Sequence, residues 1–569
     1  MRLGVIIVNS FRCIMIKMKK EWLVIVLLVL FTLPTVKSLF QNGAYTSHDL
    51  TYHIMRQISM DKLLSEGQIP PRWSGELNQG YGYPVFIFNY QLPALIGEVF
   101  HKAGFNFVDS VKAVFALSMF VSVLGMYLFL KELLGSRLSA FLGSIFYLYA
   151  PIRFINLYVS ASVGAALGAS ILPFVFYFLV VLSKDNLKNK TFKILLGSLS
   201  LSLLILAHNF TTFIFIPVIL VFGLYLIFKS KAKAQVFKNF AGMFLLGLGL
   251  SAWFFMPAVF EKQYLRFDQF YETFYQNQFI SISQLLHSPW GYGLSHPQKP
   301  EDGDMSYQLG LIQILVMIIL SLWFVVSRKI REIREIGGFS IFFFFLSVFM
   351  MTKFSLSVWS FLPFLSIIQF PLRFSIVAVL AASIAAALLV KYSPYKKILF
   401  VVLLGLVLYA NRNHLNINEI YNPGEQHYLD LQGLTSPYGE DLPKWARPME
   451  KVASSKYQVL RGEGTVHITE DKSHRVVAEV IAETPVTLRF NQFYYPDLQI
   501  KVDNNLVSFD YLTEGESYGL PVFEIPKGKH EVLVELKNSL VRNLSDIISL
   551  GSMIIWFVLL CRLLTLKKS

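Results

Sequence analysis

The 569 residues are 54% hydrophobic and only 15% charged, with 51 Phe, 27 Tyr and 8 Trp. An ordinary globular chain is about 25% charged, and one this poor in charge would expose large apolar patches to water. A disordered chain, a collagen and a disulfide scaffold are excluded on the same figures, which leaves a polytopic α-helical membrane protein. The formal charge is +14, from 51 bases and 37 acids, yet residues 412–545 hold 19 acids against 14 bases. The excess base therefore lies in short clusters between apolar runs, as a topology signal and not as a face for nucleic acid. Cys13 and Cys561 are the only cysteines and predict no structural disulfide.

A bilayer core of about 30 Å needs roughly 20 apolar residues per helix, and reading for such runs predicts about twelve transmembrane helices. They fall near residues 21–40, 108–130, 138–157, 163–183, 194–208, 210–228, 239–259, 307–327, 338–352, 372–390, 395–410 and 546–564. The first, EWLVIVLLVLFTLPTV, has no small-residue cleavage site after it and reads as an uncleaved anchor. Lys17, Lys19 and Lys20 precede it, and later clusters include Lys184 to Lys193, Lys229 to Lys238, Arg328 to Arg334, Lys391 to Lys397, and Arg562, Lys567 and Lys568. With both termini cytoplasmic, every cluster lands on the cytoplasmic side of the cell membrane.

Residues 1–410 then form a helical core with outer segments at 41–107 and 260–306. Residues 411–545 form an extracytoplasmic domain before the final helix and its cytoplasmic tail. From about residue 456 the pattern turns to short alternating stretches, GTVHITE, HRVVAEVIAE, PVTLRF, LQIKVD and HEVLVELK. Turn signals at Asp503-Asn504-Asn505 and Pro526-Lys527-Gly528 separate them, which predicts a small β-sandwich.

The first outer segment opens TSHDLTYHIMRQISM. As a helix, its Asp49, Tyr52, His53, Arg56 and Met60 share one face, with Leu50, Ile54 and Ile58 on another. This predicts an amphipathic helix lying along the membrane surface, with a carboxylate, an imidazole and a guanidinium together above the bilayer. A carboxylate there can act as general base toward a hydroxyl. The plainer alternative makes Ser47 an N-cap and Asp49 a partner of the helix dipole. His48, Asp49 and His53 are also a candidate divalent metal set, lacking a fixed fourth ligand.

Further ionisable groups fall at outer helix ends: Arg153 after the third run, His208 between the fifth and sixth, Lys262 after the seventh and Arg373 opening the tenth. Such groups near membrane depth either line a polar cavity or snorkel to headgroups. The segments NQGYGYP and HSPWGYG pair aromatics with glycines, as sugar-stacking loops and interfacial aromatic belts both do. No phosphate-cradling loop, dinucleotide fingerprint, nucleophile elbow or zinc motif occurs.

SHDL followed by EGQIPPRWSGELNQGYGYPVFIFNY resembles the bacterial membrane family called 6-pyruvoyl-tetrahydropterin-synthase-related, a name that implies no pterin chemistry. That family is similar to C-type glycosyltransferases, which use polyprenyl-phosphate-linked sugars. IIQFPLRFS resembles a second family segment, and FYYPDLQIKVDNNLV with IPKGKHEVLVEL resembles the outer β-domain of related cell-surface glycosylation proteins. The resemblance implies that Asp49 is the catalytic carboxylate and that Arg373 lies near the lipid phosphate. One departure stands out: the pattern Tyr-x-Arg-Gly-Ala-x-x-Glu expected after the third run is replaced by LYVSASVGAALG, with Ser160 and small residues.

The expected activity is sugar transfer, as a hexosyl- or pentosyltransferase, with inversion on the outer face. The donor would be a polyprenyl-phosphate sugar, and the acceptor an envelope glycan, lipid or protein. Asp49 is the expected base, and His48, His53, Arg56, Arg72, Arg153, His208, Lys262 and Arg373 are the expected substrate-binding residues. The alternative is a non-enzymatic transporter or scaffold for cell-surface polysaccharide, which the Ser160 departure favours.

Overall fold

The computed structural model describes residues 21–185, 187–326 and 329–566. Cys13, Lys17, Lys19, Lys20, Arg328, Lys567 and Lys568 lie outside the described residues. Among those described, nine helices are long and apolar enough to cross a membrane: Glu21–Phe40, Phe107–Leu134, Val163–Leu182, Lys190–Ala207, Asn209–Lys229, Lys233–Tyr264, Ile333–Met351, Pro371–Tyr392 and Leu540–Thr565. The predicted run at 138–157 becomes two helices bent by 51°, Arg137–Leu148 and Pro151–Val159, broken where Pro151 removes a backbone donor. Two further expected spans appear as 16-residue helices, Leu311–Val326 and Lys396–Asn411. Each is shorter than the roughly 20 residues an untilted crossing needs.

Local chemistry sets the helix ends. Asn106 caps the Phe107–Leu134 helix by accepting the Asp109 N–H at 2.7 Å, and Gly135 closes it in the left-handed conformation at φ 67°. Helix approach is set by small residues. In the helix Ser375–Tyr392 nearly every residue is buried, and a Cβ on Gly143 of the facing helix would sit 2.7 Å from the Ser383 carbonyl oxygen. Large apolar side chains such as Leu322, Val325, Phe345, Ile547 and Phe557 stay exposed on the bundle's outside, a surface suited to lipid.

Ten strands occur among the described residues. Two-residue β1 (Ala44–Tyr45) and β2 (Ile420–Tyr421) pair antiparallel and tie the segment after the first helix to the chain leaving the helix Lys396–Asn411. The others are β3 (Tyr457–Arg461), β4 (Gly464–Lys472), β5 (Arg475–Ala482), β6 (Val486–Phe490), β7 (Leu498–Val502), β8 (Asn505–Leu506), β9 (Val522–Ile525) and β10 (Gly528–Leu536). They form antiparallel sheets of order β4-β5-β10-β7-β8 and β3-β6-β9. The sheets share one core of Val476, Val480, Leu488, Phe490, Ile500, Phe523 and Val532, so alternation buries one face of each. The β7–β8 turn takes positive φ at Asp503 and Asn504, as its residues permit.

A second core joins this sandwich to residues 41–107 and 260–306. Met55, Met60 and Leu63 of the helix Leu50–Ser65 pack with Trp73, Tyr83, Leu442, Phe493 and Tyr495. That helix is therefore not the surface amphipath its spacing predicts. His53, Ile54, Met55, Gln57, Ser59 and Met60 are all buried, because residues 431–446 and the helix Leu92–Lys102 cover it.

Candidate functional site

Asp49 stands at the head of the helix Leu50–Ser65, and backbone from distant parts of the chain fixes it there. Its N–H donates to the Ser160 carbonyl at 3.0 Å and the His48 N–H to that of Val159 at 3.1 Å, while Thr46 bonds Glu419. The segment that departs from the expected family pattern is thus the one on which Asp49 is docked. Asp49 occupies the cap position without a side-chain capping bond, and Ser47 Oγ accepts the Leu50 N–H only at 3.4 Å. The Asp49 carboxylate, half-buried, accepts no side-chain hydrogen bond from any described residue. Burial pushes its carboxyl above the usual range, with His48, Arg56 and Arg373 pulling the other way.

Two guanidiniums flank this carboxylate. Arg56 lies on the same helix face as Asp49; its Nη2 donates to the Thr435 carbonyl at 2.6 Å, and its buried Nε has no partner. Arg373 donates from Nη1 to the Ile368 carbonyl at 2.7 Å and lies 4.0 Å over the Phe210 ring and 5.2 Å from that of Phe370. Neither arginine forms an ion pair with a described carboxylate. Cations held by carbonyls and aromatic faces keep donors available for an anion.

The far wall comes from the chain between the bundle and the sandwich. Asp441 is buried and accepts from Asn89 Nδ2 at 2.6 Å and the Tyr83 hydroxyl at 3.4 Å. Burial and the neighbouring Glu440 push its carboxyl up to about 6. Glu440 accepts the Tyr271 hydroxyl at 2.8 Å and the Tyr438 N–H at 3.2 Å. Tyr90 closes the membrane side, its ring 5.1 Å from that of His208 in an edge-on contact. Gly164 permits that placement, since a Cβ there would lie 2.3 Å from Tyr90 Cζ.

The expected site residues divide accordingly. Asp49, His48, His53, Arg56, His208 and Arg373 gather. His53 is buried with Nε2 unpartnered, and burial, helped by Arg56, holds its ring well below the usual histidine value. His208 Nδ1 accepts the Thr211 N–H at 3.2 Å, so that nitrogen carries no proton. Three others make their contacts elsewhere. Arg72 bonds Asp546 and Asn538, each at 2.6 Å, at the head of the last helix. Lys262 pairs with Asp268 at 2.6 Å. Arg153 is fully buried against Tyr147 and Met119 and has no described carboxylate partner.

The candidate metal set does not converge. His48 Nε2 meets the Gly293 carbonyl at 2.8 Å, and among the described residues no three His, Cys, Asp or Glu side chains are grouped to hold a metal ion. That bond joins HSPWGYG to the site. NQGYGYP contributes Tyr83, while its Gly82 packs edge-close on Trp73.

Sequence reading missed Tyr83 as a wall residue, and also Asn89, Tyr90, Tyr271, Glu440 and Asp441. The adjacent acids in SPYGEDLP were the one available signal, two carboxylates side by side in a loop otherwise rich in Pro and Gly.

Apolar helices around a polar carboxylate with arginines near it, and a β-sandwich before the last helix, define a polytopic membrane protein with a partly buried polar site. The family is also defined: the profile of the 6-pyruvoyl-tetrahydropterin synthase related domain, a membrane protein family, matches residues 88–418. That is more than half of the chain, and the chain belongs to this family. An uncharacterized protein of Lactococcus lactis subsp. cremoris is 26% identical over 248 residues, covering 42% of this chain and 39% of the relative. The match thus spans less than half of that relative's length. Two crystal structures of the oligosaccharyltransferase of Archaeoglobus fulgidus are also similar. The complex with Zn and sulfate has a TM-score of 0.41 at 12% identity, over 75% of this chain and 59% of that one. The apo form gives 0.42 at 11%, over 76% and 62%. Likeness at that level assigns no chemistry to this chain.

Proposed function

We propose that the protein is a membrane glycosyltransferase that moves a sugar from a polyprenyl-phosphate donor to a cell-envelope acceptor on the outer face. In this reading the acceptor hydroxyl gives its proton to Asp49 as its oxygen attacks the anomeric carbon. The bond from that carbon to the phosphate oxygen breaks, and the polyprenyl phosphate leaves with its charge on Arg373 and Arg56. Attack opposite the leaving group inverts the anomeric centre. Arg153 and Lys262, also expected to bind substrate, make their contacts elsewhere, so Arg56 is the second cation in this reading.

One observation carries the reading: a half-buried carboxylate without a hydrogen-bond donor lies in the field of two arginines that make no ion pair with a described carboxylate. Charged groups left without a direct hydrogen-bonded counter-ion are costly to keep in a fold and are characteristic of sites completed by a ligand. The resemblance of SHDL and IIQFPLRFS to segments of the 6-pyruvoyl-tetrahydropterin-synthase-related family, itself similar to C-type glycosyltransferases, supports the same roles. The test is transfer in proteoliposomes supplied with a panel of polyprenyl-phosphate sugars, wild type against Asp49→Asn. Losing a general base predicts a rate lower by about 10²–10⁴. Equal transfer by both proteins removes Asp49 from the chemistry, and no transfer from any donor favours the transporter or scaffold.

A further inference from the structure

We infer that the acceptor is itself a carbohydrate, and that Tyr438 is the platform on which its terminal sugar ring lies; the inference rests on the glycosyltransfer reading. Tyr438 stacks on Phe270, with centroids 5.8 Å apart and planes 14° apart, while remaining 48% exposed. One side of the ring is thus backed and much of the rest is open. Such a large aromatic surface is costly to leave in water, and an aromatic face suits the C–H face of a pyranose.

The platform is held rigidly. Phe270 carries the Arg266 guanidinium 5.3 Å from its ring centroid, making a tier of Arg266, Phe270 and Tyr438. The two chain segments are zipped by backbone: Arg266 N–H to the Leu442 carbonyl at 3.0 Å, Lys444 N–H to that of Tyr264 at 2.8 Å, and a bridge between Leu265 and Pro443. Glu440 clamps both sides, accepting the Tyr438 N–H and the Tyr271 hydroxyl. It is a positioning residue, since burial leaves it little access to a ligand. One of these ties is made by Tyr438 itself, and the others fix the two segments on either side of its ring. A pre-ordered ring lowers the entropy cost of binding.

The ring also lies at the right place. Tyr438 lies three residues after Thr435, whose carbonyl accepts from Arg56 Nη2 at 2.6 Å. A sugar seated on Tyr438 therefore lies along the segment that is bonded to the helix of Asp49 and Arg56. A peptide or lipid acceptor would not need a backed aromatic face.

The inference is tested by saturation-transfer NMR on the full-length protein in detergent, using a panel of methyl glycosides and envelope-type disaccharides. Wild type should bind at least one, with the strongest transfer to protons on one ring face. Tyr438→Phe should bind within about twofold, and Tyr438→Ala should bind about tenfold more weakly. In the transfer assay Tyr438→Ala should raise KM for the glycan acceptor about tenfold with little change in kcat. No binding of any glycoside by wild type, or equal binding by Tyr438→Ala, overturns the platform and leaves Tyr438 a membrane-interface anchor. Glycoside binding through Tyr438 without transfer from any donor sinks the glycosyltransfer reading and keeps the saccharide site.

Discussion

Two groups of arginines and acids stand a short way apart in this molecule and are built on opposite principles. At the foot of the β-sandwich, Arg542 and Glu261 are almost wholly buried and pair at 3.1 Å. Tyr495 donates to Glu261 at 2.9 Å, and Arg542 also donates to the Lys537 and Pro496 carbonyls. Every charge there has its complement, which fastens the helix Lys233–Phe260 to the last helix and to the sandwich. Around Asp49 the same residue types are left unmatched: Asp49 accepts no side-chain bond, and Arg56 and Arg373 rest on carbonyls and rings. A saturated cluster serves the fold and an unsaturated one awaits a ligand.

The largest expected effect is on rate. Asp49→Asn should lower sugar transfer by about 10²–10⁴, read in proteoliposomes. Glu261→Ala should instead cost up to about 3–5 kcal/mol of stability, because it leaves the buried Arg542 with only the longer Asp497 pair at 3.4 Å. A lowered melting temperature in detergent would show it, and an unchanged one would erase the contrast between the clusters.

Asp441 sharpens the comparison through pH. Its folded-state value, up at about 6 from an ordinary 3.8, means that the folded protein holds this proton more tightly than the unfolded chain. The associated stability is full below about pH 4 and is lost as pH rises through about 6. Asp441→Asn should therefore stabilise the protein at pH 8, by up to about 3 kcal/mol, and leave it nearly unchanged at pH 4. Melting curves at the two pH values would decide; equal shifts at both would contradict the assignment.

The smallest expected effect is Arg373→Lys. An ammonium keeps the charge but loses the planar contact with Phe210 and Phe370, so transfer should fall by about tenfold with little change in melting temperature. A variant as active as wild type would reduce Arg373 to an interfacial charge.

The membrane helices are legible in the sequence because an uninterrupted apolar run of about 20 residues matches the thickness of a bilayer core. Strands β4, β5, β6, β7 and β10 are legible from alternation. β3 and β9 are not: in YQVLR the exposed Leu460 breaks the alternation, and VFEI has only four residues. Asp49 and Arg56 draw attention by their spacing on one helix face, and Arg373 as a charge at a helix end near the membrane. Glu440 and Asp441 do not, since they are brought toward Asp49 and Arg56 by tertiary folding across most of the chain. Arg72 is among the expected substrate-binding residues, and only its partner Asp546, on the last helix, shows how differently it is used. Sequence locates charge; folding decides which charges are matched.

The most direct measurement takes transfer rate and melting temperature on the same preparation of Asp49→Asn. An unmatched, burial-raised carboxyl predicts that transfer collapses while the melting temperature holds or rises. Retained transfer with a lowered melting temperature would make Asp49 a structural residue and contradict the account.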